Sequence, residues 1–209
     1  MDRETESYIT DHSSAEDPLL TGLYRFTHLN AVNPNMACGN LQGRFLEFIT
    51  FMVKPRLVLE IGTFTGYSAI AMARALPPGG ILHTVDDNDE LSDISRGWFE
   101  RAGLADRIVS HTGRAQEIVP ELGLRFDLIY IDGDKREYCE YYSLAIGHLA
   151  KEGIILADNV LWGGKAPQGN SRDPQTLGII RFNEMVKADD SVVKVILPLR
   201  DGVMMIRRK

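Results

Sequence analysis

The first clear periodicity along the chain is helical. Between Ala15 and Ala31, apolar residues fall at Leu19, Leu20, Leu23, Tyr24 and Phe26 behind Pro18. That spacing predicts a helix entered through the proline. Asn33-Pro34-Asn35 breaks it. Leu41, Phe45, Leu46, Phe48 and Ile49 then mark one face of a second helix, which stops before Pro55. Residues 1–15 are polar and are expected to be frayed or weakly helical.

From residue 57 the pattern changes. Leu57-Val58-Leu59-Glu60-Ile61 reads as a buried parallel strand. It breaks at Gly62 and Gly66, and helical spacing resumes over about 66–76. The alternation repeats: strand 81–85, helix 89–102 with Gly103 as its C-cap, strand 107–111, short helix 114–122, strand 126–131, helix 136–149, strand 153–157. A polar, glycine-rich loop spans 162–174 and a helix follows over 175–188. The chain closes as a hairpin, 192–197 and 203–206 around a turn at 198–202. Alternating βαβ units predict an α/β fold. It is a doubly wound, Rossmann-like, mostly parallel sheet of about seven strands, with helices on both faces and the antiparallel hairpin at or near one edge. One domain over 1–209 is expected, with 1–54 as a helical packing segment or lid.

Composition narrows the classes. An apolar fraction of 44% and a charged fraction of 25% are ordinary for a soluble globular chain. A net charge of −6 argues against a nucleic-acid-binding face, which needs clustered Lys and Arg. The run Arg207-Arg208-Lys209 is read as a solvated end. No apolar run approaches the ~18 residues of a membrane span. The acidic start, Met1 to Glu6, lacks the apolar core of a signal peptide. Cys38 and Cys139 make no disulfide framework, so a reducing cytoplasm is the default.

Candidate chemistry gathers where strands end. Glu60 closes the first strand beside the glycine turn, Asp86-Asp87 the second, Asp132-Gly133-Asp134-Lys135 the fourth and Asp158-Asn159 the fifth. Ligands of such sheets sit beyond the carboxyl ends of the strands. The turn with its helix start forms a cradle for backbone contact with a ligand. Asp86 follows at about 20 residues, the spacing at which an acid meets a ribose hydroxyl pair. A nicotinamide oxidoreductase shares that feature, but its Gly-x-Gly-x-x-Gly is absent, and Glu60 would sit close to a pyrophosphate. Negative charge there suits a positive ligand, as in class I S-adenosylmethionine methyltransferases.

Asp132, Asp158 and Asn159 can supply three oxygens to a hard cation such as Mg²⁺, Mn²⁺ or Ca²⁺, leaving room for two vicinal hydroxyls of a substrate. Lys135 is within reach as a general base, or is a surface lysine paired with Asp134 or Glu137. The five histidines lack metal-ligand spacing, and His83 and His111 are read as satisfied core residues. Trp162 either walls an aromatic substrate pocket or packs under its loop.

On these motifs, roughly residues 35–209 resemble the cation-dependent O-methyltransferases, the caffeoyl-CoA and catechol O-methyltransferase family. The stretches that carry the resemblance are Val58 to Ser68, Ile131 to Tyr138, Asp158 to Trp162, Arg181-Phe182-Asn183 and Asp201-Gly202. The resemblance implies metal ligation by Asp132, Asp158 and Asn159, and catalysis by Lys135. It implies S-adenosylmethionine contacts at Glu60, Gly62, Thr63, Phe64, Ser68, Asp86, Ala115, Gln116 and Asp132. Met36 to Cys38 would close over the methionine end. A small catechol-like acceptor and a homodimer are implied, with neither nucleic acid nor membrane as partner. A metal-independent methyltransferase and a non-catalytic binding module remain as alternatives.

Overall fold

The computed structural model describes residues 3–169 and 171–209. Ahead of the sheet lie three helices, α1 (Arg3–Asp11), α2 (Pro18–Asn30) and α3 (Gly39–Val53). The expectation of a frayed or weakly helical start gives way to the helix α1. It is mostly exposed, and Tyr8 stacks on His12 at 3.9 Å. Met1 and Asp2 lie outside the described residues. The Asp17 side chain caps α2 by accepting from Leu19 N and Leu20 N, with Pro18 in the first turn, where its missing N–H costs nothing. Lys54, left-handed at φ 51°, ends α3 before Pro55.

The alternating part comprises β1 (Leu57–Ile61), α4 (Tyr67–Arg74), β2 (Ile81–Asp86), α5 (Ser92–Arg101), β3 (Ile108–Thr112), α6 (Ala115–Leu122), β4 (Phe126–Ile131), α7 (Tyr138–His148), β5 (Leu149–Ala157), α8 (Pro174–Ala188), β6 (Val192–Leu197) and β7 (Val203–Arg208). The strands form one sheet in the order β3-β2-β1-β4-β5-β7-β6. Five are parallel, and the closing hairpin runs antiparallel along β5. β5 starts four residues earlier than its sequence pattern. Leu149 pairs with Phe126, but the register then shifts before Leu128 meets Ile154, and the exposed Lys151-Glu152 in between breaks the apolar run.

Successive strand residues point to opposite faces, and both faces are covered, so the strands read as continuous apolar runs. On one face Leu59, Ile129 and Ile155 pack under Val119, Tyr142 and Phe182 of α6, α7 and α8. On the other, Val58, Leu128 and Leu156 pack under Leu23, Leu46 and Ile70 of α2, α3 and α4. His83 and His111 are satisfied by each other, Nδ1 to Nε2 at 3.0 Å, but they are half-buried rather than core. Among the described residues no helix is long and apolar enough to cross a membrane.

Candidate active site

β1 is flanked by β2 on one side and β4 on the other, so the chain leaves the sheet centre in opposite directions. A crevice opens at such a switch point, beyond the strand ends. Here it is a cavity of about 960 Å³.

The glycine turn forms part of its floor. Gly62 has φ 103°, and a Cβ there would lie 2.9 Å from Gly133 N and nearer still to the Asp132 carbonyl. Only a residue without a side chain lets the ends of β1 and β4 approach so closely. Asp86 closes the turn: its Oδ2 accepts from Thr63 N and Phe64 N, both at 2.8 Å. Its Oδ1 accepts from Asn88 N at 3.0 Å.

Glu60 is fully buried and does not line the cavity. Ser68 Oγ donates to its Oε1 at 2.5 Å, and Thr84 Oγ1 to its Oε2 at 2.6 Å. Burial pushes the carboxyl up to about 8, against the pull of those two hydroxyls, and the charges of Asp132 and Asp86 add to the rise. Ser68 does line the cavity, so the acid stands one side chain behind the wall.

Gly62, Thr63, Phe64, Asp86 and Ser68 thus share one wall. Met36 and Cys38 face the same space from the segment before α3. Ala115 and Gln116 reach it from the start of α6. Gln116 Nε2 donates to Glu137 Oε2 at 2.7 Å, while its Oε1 is buried without a partner among the described residues.

Asp132, Asp158 and Asn159 meet at the ends of β4 and β5, where Asp158 N donates to Ile131 O at 3.0 Å. Asp158 is held by three donors: Asn159 N at 2.7 Å on Oδ1, and Tyr130 OH at 2.9 Å together with Gln42 Nε2 on Oδ2. Asp132 Oδ2 and the Asn159 side-chain amide take no protein hydrogen bond among the described residues. Burial raises the Asp132 carboxyl, the Lys135 ammonium pulls it down, and the Asp158 charge raises it again. The described residues hold no group of three His, Cys, Asp or Glu side chains at ligating distance. The donor set here is two carboxylates and an amide, all oxygen, and it fits a hard cation.

Lys135 is buried, 7% exposed. Its Nζ donates to Asp132 Oδ1 at 2.8 Å and to Tyr138 OH at 2.7 Å. The surface-lysine alternative fails because its proposed partners are taken: Asp134 by Arg136, and Glu137 by Arg114 and Gln116. Trp162 lines the cavity and packs against the core.

Several participants have roles that the sequence does not signal. Gln42 and Tyr130 orient Asp158, and Tyr138 seats Lys135. Gly178 lets α8 lie directly on the Lys135 turn: a Cβ there would come within 2.8 Å of the Lys135 carbonyl carbon. Five non-glycine residues among those described have positive φ. Four of them, Phe64, Asn159, Trp162 and Arg200, line this cavity, and backbone strain collects at functional sites in this way.

A family model described as O-methyltransferase matches residues 10–209. A catechol O-methyltransferase from Niastella koreensis is 36% identical over 199 residues, covering 93% of this chain and 89% of that protein. A caffeoyl-CoA O-methyltransferase from Stellaria longipes is 29% identical over 184 residues, covering 83% and 76%. The crystal structure of an O-methyltransferase from Bacillus cereus in complex with SAH superposes with a TM-score of 0.91 at 31% identity, over 99% of this chain and 97% of that one. With nearly the whole chain matched and the strand-end site in place, the protein belongs to the O-methyltransferase family.

Proposed function

We propose that the protein moves the methyl group of S-adenosylmethionine to a phenolic oxygen of a small catechol-like acceptor, with a divalent cation held by Asp132, Asp158 and Asn159. The observation that carries this reading is the corner where two carboxylates, an amide and a buried lysine face the same cavity as the glycine turn. The Niastella relative's name, catechol O-methyltransferase, supports the acceptor class.

S-adenosylmethionine brings the methyl as a sulfonium electrophile. Asp132, Asp158 and Asn159 would hold a divalent cation, Mg²⁺ first with Mn²⁺ or Ca²⁺ as alternatives, which would supply Lewis-acid stabilisation of negative charge on the acceptor oxygen. The chain itself binds and orients. Asp86 meets the ribose hydroxyls. Ser68, backed by Glu60, meets the methionine end under Met36 and Cys38. Gln116 Oε1, left without a protein donor, accepts from the cofactor. Lys135, fixed by Asp132 and Tyr138, takes the proton of the attacking hydroxyl as the neutral amine, once its ammonium has released a proton to solvent. Fixed geometry of this kind can remove roughly 7–11 kcal/mol from a bimolecular barrier.

The exposed Phe48, Phe51 and Met52 on α3 support the homodimer. The two free cysteines suit a cytoplasmic setting.

The test is methyl transfer to a simple catechol such as caffeate, with Mg²⁺ and with excess EDTA. Product that needs the metal is expected. Product that persists after the metal is stripped would leave the methyltransferase and discard the cation.

A further inference from the structure

One side chain ties the two lips of the cavity together. The turn between β6 and β7 is sewn to the loop after β5. Val160 N donates to Gly202 O at 3.1 Å and Leu161 N to Asp201 O at 2.9 Å. The turn is therefore continuous with the wall that carries Asp158 and Asn159. From it Arg200 projects at φ 48°, a left-handed conformation that side chains rarely adopt. Its Nη1 crosses to the opposite wall. There it donates to Cys38 O and reaches Ala37 O and Gln42 Oε1, each at 3.3 Å. Gln42 returns the link, since its Nε2 donates to Asp158 Oδ2 and to Tyr130 OH. The circuit closes: Asp158, its loop, the turn, Arg200, Gln42, and Asp158 again. Arg200 forms no ion pair among the described residues, and its Nη1 donates to these carbonyl oxygens.

We infer that Arg200 is a positioning residue of the methyl-transfer site, clamping the Ala37-Cys38 segment against the wall that carries Asp158. One guanidinium then sets both the roof over the cofactor and the orientation of a cation-binding carboxylate. The inference rests on the proposed placement of S-adenosylmethionine beneath Met36 and Cys38. A glycine at this position would relieve the backbone and remove the clamp together, which separates positioning from stability.

The experiment measures S-adenosylhomocysteine affinity by calorimetry in EDTA, Mn²⁺ affinity by water-proton relaxation, and the melting temperature. It compares the wild type with Arg200→Gly, Arg200→Met and Arg200→Lys. Arg200→Gly and Arg200→Met are expected to bind S-adenosylhomocysteine about tenfold more weakly, the weight of one charge-assisted hydrogen bond. Mn²⁺ binding weakens with it, and the melting temperature of Arg200→Gly holds or rises. Arg200→Lys, which keeps a cationic donor, recovers most of the affinity. Unchanged affinities in Arg200→Gly and Arg200→Met overturn the inference. So does a loss that tracks a fall in melting temperature across both variants, because Arg200 would then be a structural strut. Weaker cofactor binding with unaltered Mn²⁺ binding removes the link to Asp158. A wild-type protein that binds no S-adenosylhomocysteine fails on the proposed function itself, before any variant is compared.

Discussion

At the floor of the cavity Asp86 accepts three backbone N–H groups and Asp158 three donors, and behind it Glu60 accepts two hydroxyls. At the rim, Val32 is 95% exposed. The floor is made of strand ends, whose positions are set by a sheet buried on both faces. The rim is the first part of the connection between α2 and α3, with a 3-10 turn at Pro34–Met36 that buries no residue, ahead of the buried Ala37 and Cys38 that Arg200 holds. In the proposed reaction methyl donor and cation are common to every turnover, and the region that would hold them is over-determined. The acceptor differs between relatives named for catechol and for caffeoyl-CoA, and the region we propose to face it is lightly constrained.

Breaking the floor should have the largest effect. Gly62→Val adds a side chain where the Asp132 carbonyl and Gly133 N already stand, in a backbone conformation that β-branched residues avoid. Folding should weaken by more than about 4 kcal/mol, read by urea denaturation, with cofactor binding lost. A well-folded variant would show that the ends of β1 and β4 can separate cheaply. Asp158→Ala comes next. It strands the donors of Tyr130 and Gln42 and removes a proposed cation ligand, so methyl transfer should drop about 10²–10³-fold while S-adenosylhomocysteine still binds. Full activity in that variant would sink the metal assignment.

A pH series sharpens the comparison further. Between about 4.5 and about 8 the folded chain keeps a proton on Glu60 that the unfolded chain has released. Stability of the cofactor-free protein therefore falls as pH rises through that window and levels off above it. The effect is of the order of a few kcal/mol, each worth about 2–4 °C of melting temperature in a chain of this size. Glu60→Gln should flatten the profile while weakening cofactor binding. An equally steep profile in the variant would assign the pH dependence elsewhere.

The same contrast explains what could be read from the sequence. Strand ends were legible because each acid closes an apolar run: Glu60, Asp86, Asp132 and Asp158 need only the alternation of elements to be placed on one rim. Lys135 was legible as a candidate, but its burial depends on Gly178, which lies in another helix. The contacts of Gln42, Tyr130 and Arg200 were not legible. Gln42 sits 116 positions from the carboxylate it orients, and Arg200 162 positions from Cys38. Before folding, Gln42 is one polar residue of an amphipathic helix and Tyr130 one apolar residue of a strand. The early start of β5 was hidden for a local reason, a register shift that interrupts the period of two.

The smallest effect belongs to the rim, and it is the most informative about acceptor choice. Val32 lines the cavity yet is almost wholly exposed, so it has little packing to lose. Val32→Ser should leave stability within about 0.5 kcal/mol and S-adenosylhomocysteine affinity unaltered. If an aromatic acceptor docks against this segment, the variant loses one apolar contact, and KM for the acceptor should rise severalfold with kcat nearly constant. That pattern would place acceptor recognition on the rim and leave the chemistry to the floor. A fall in kcat at unchanged KM would instead make the segment part of the apparatus that aligns the reacting oxygen, and the division between floor and rim would not hold.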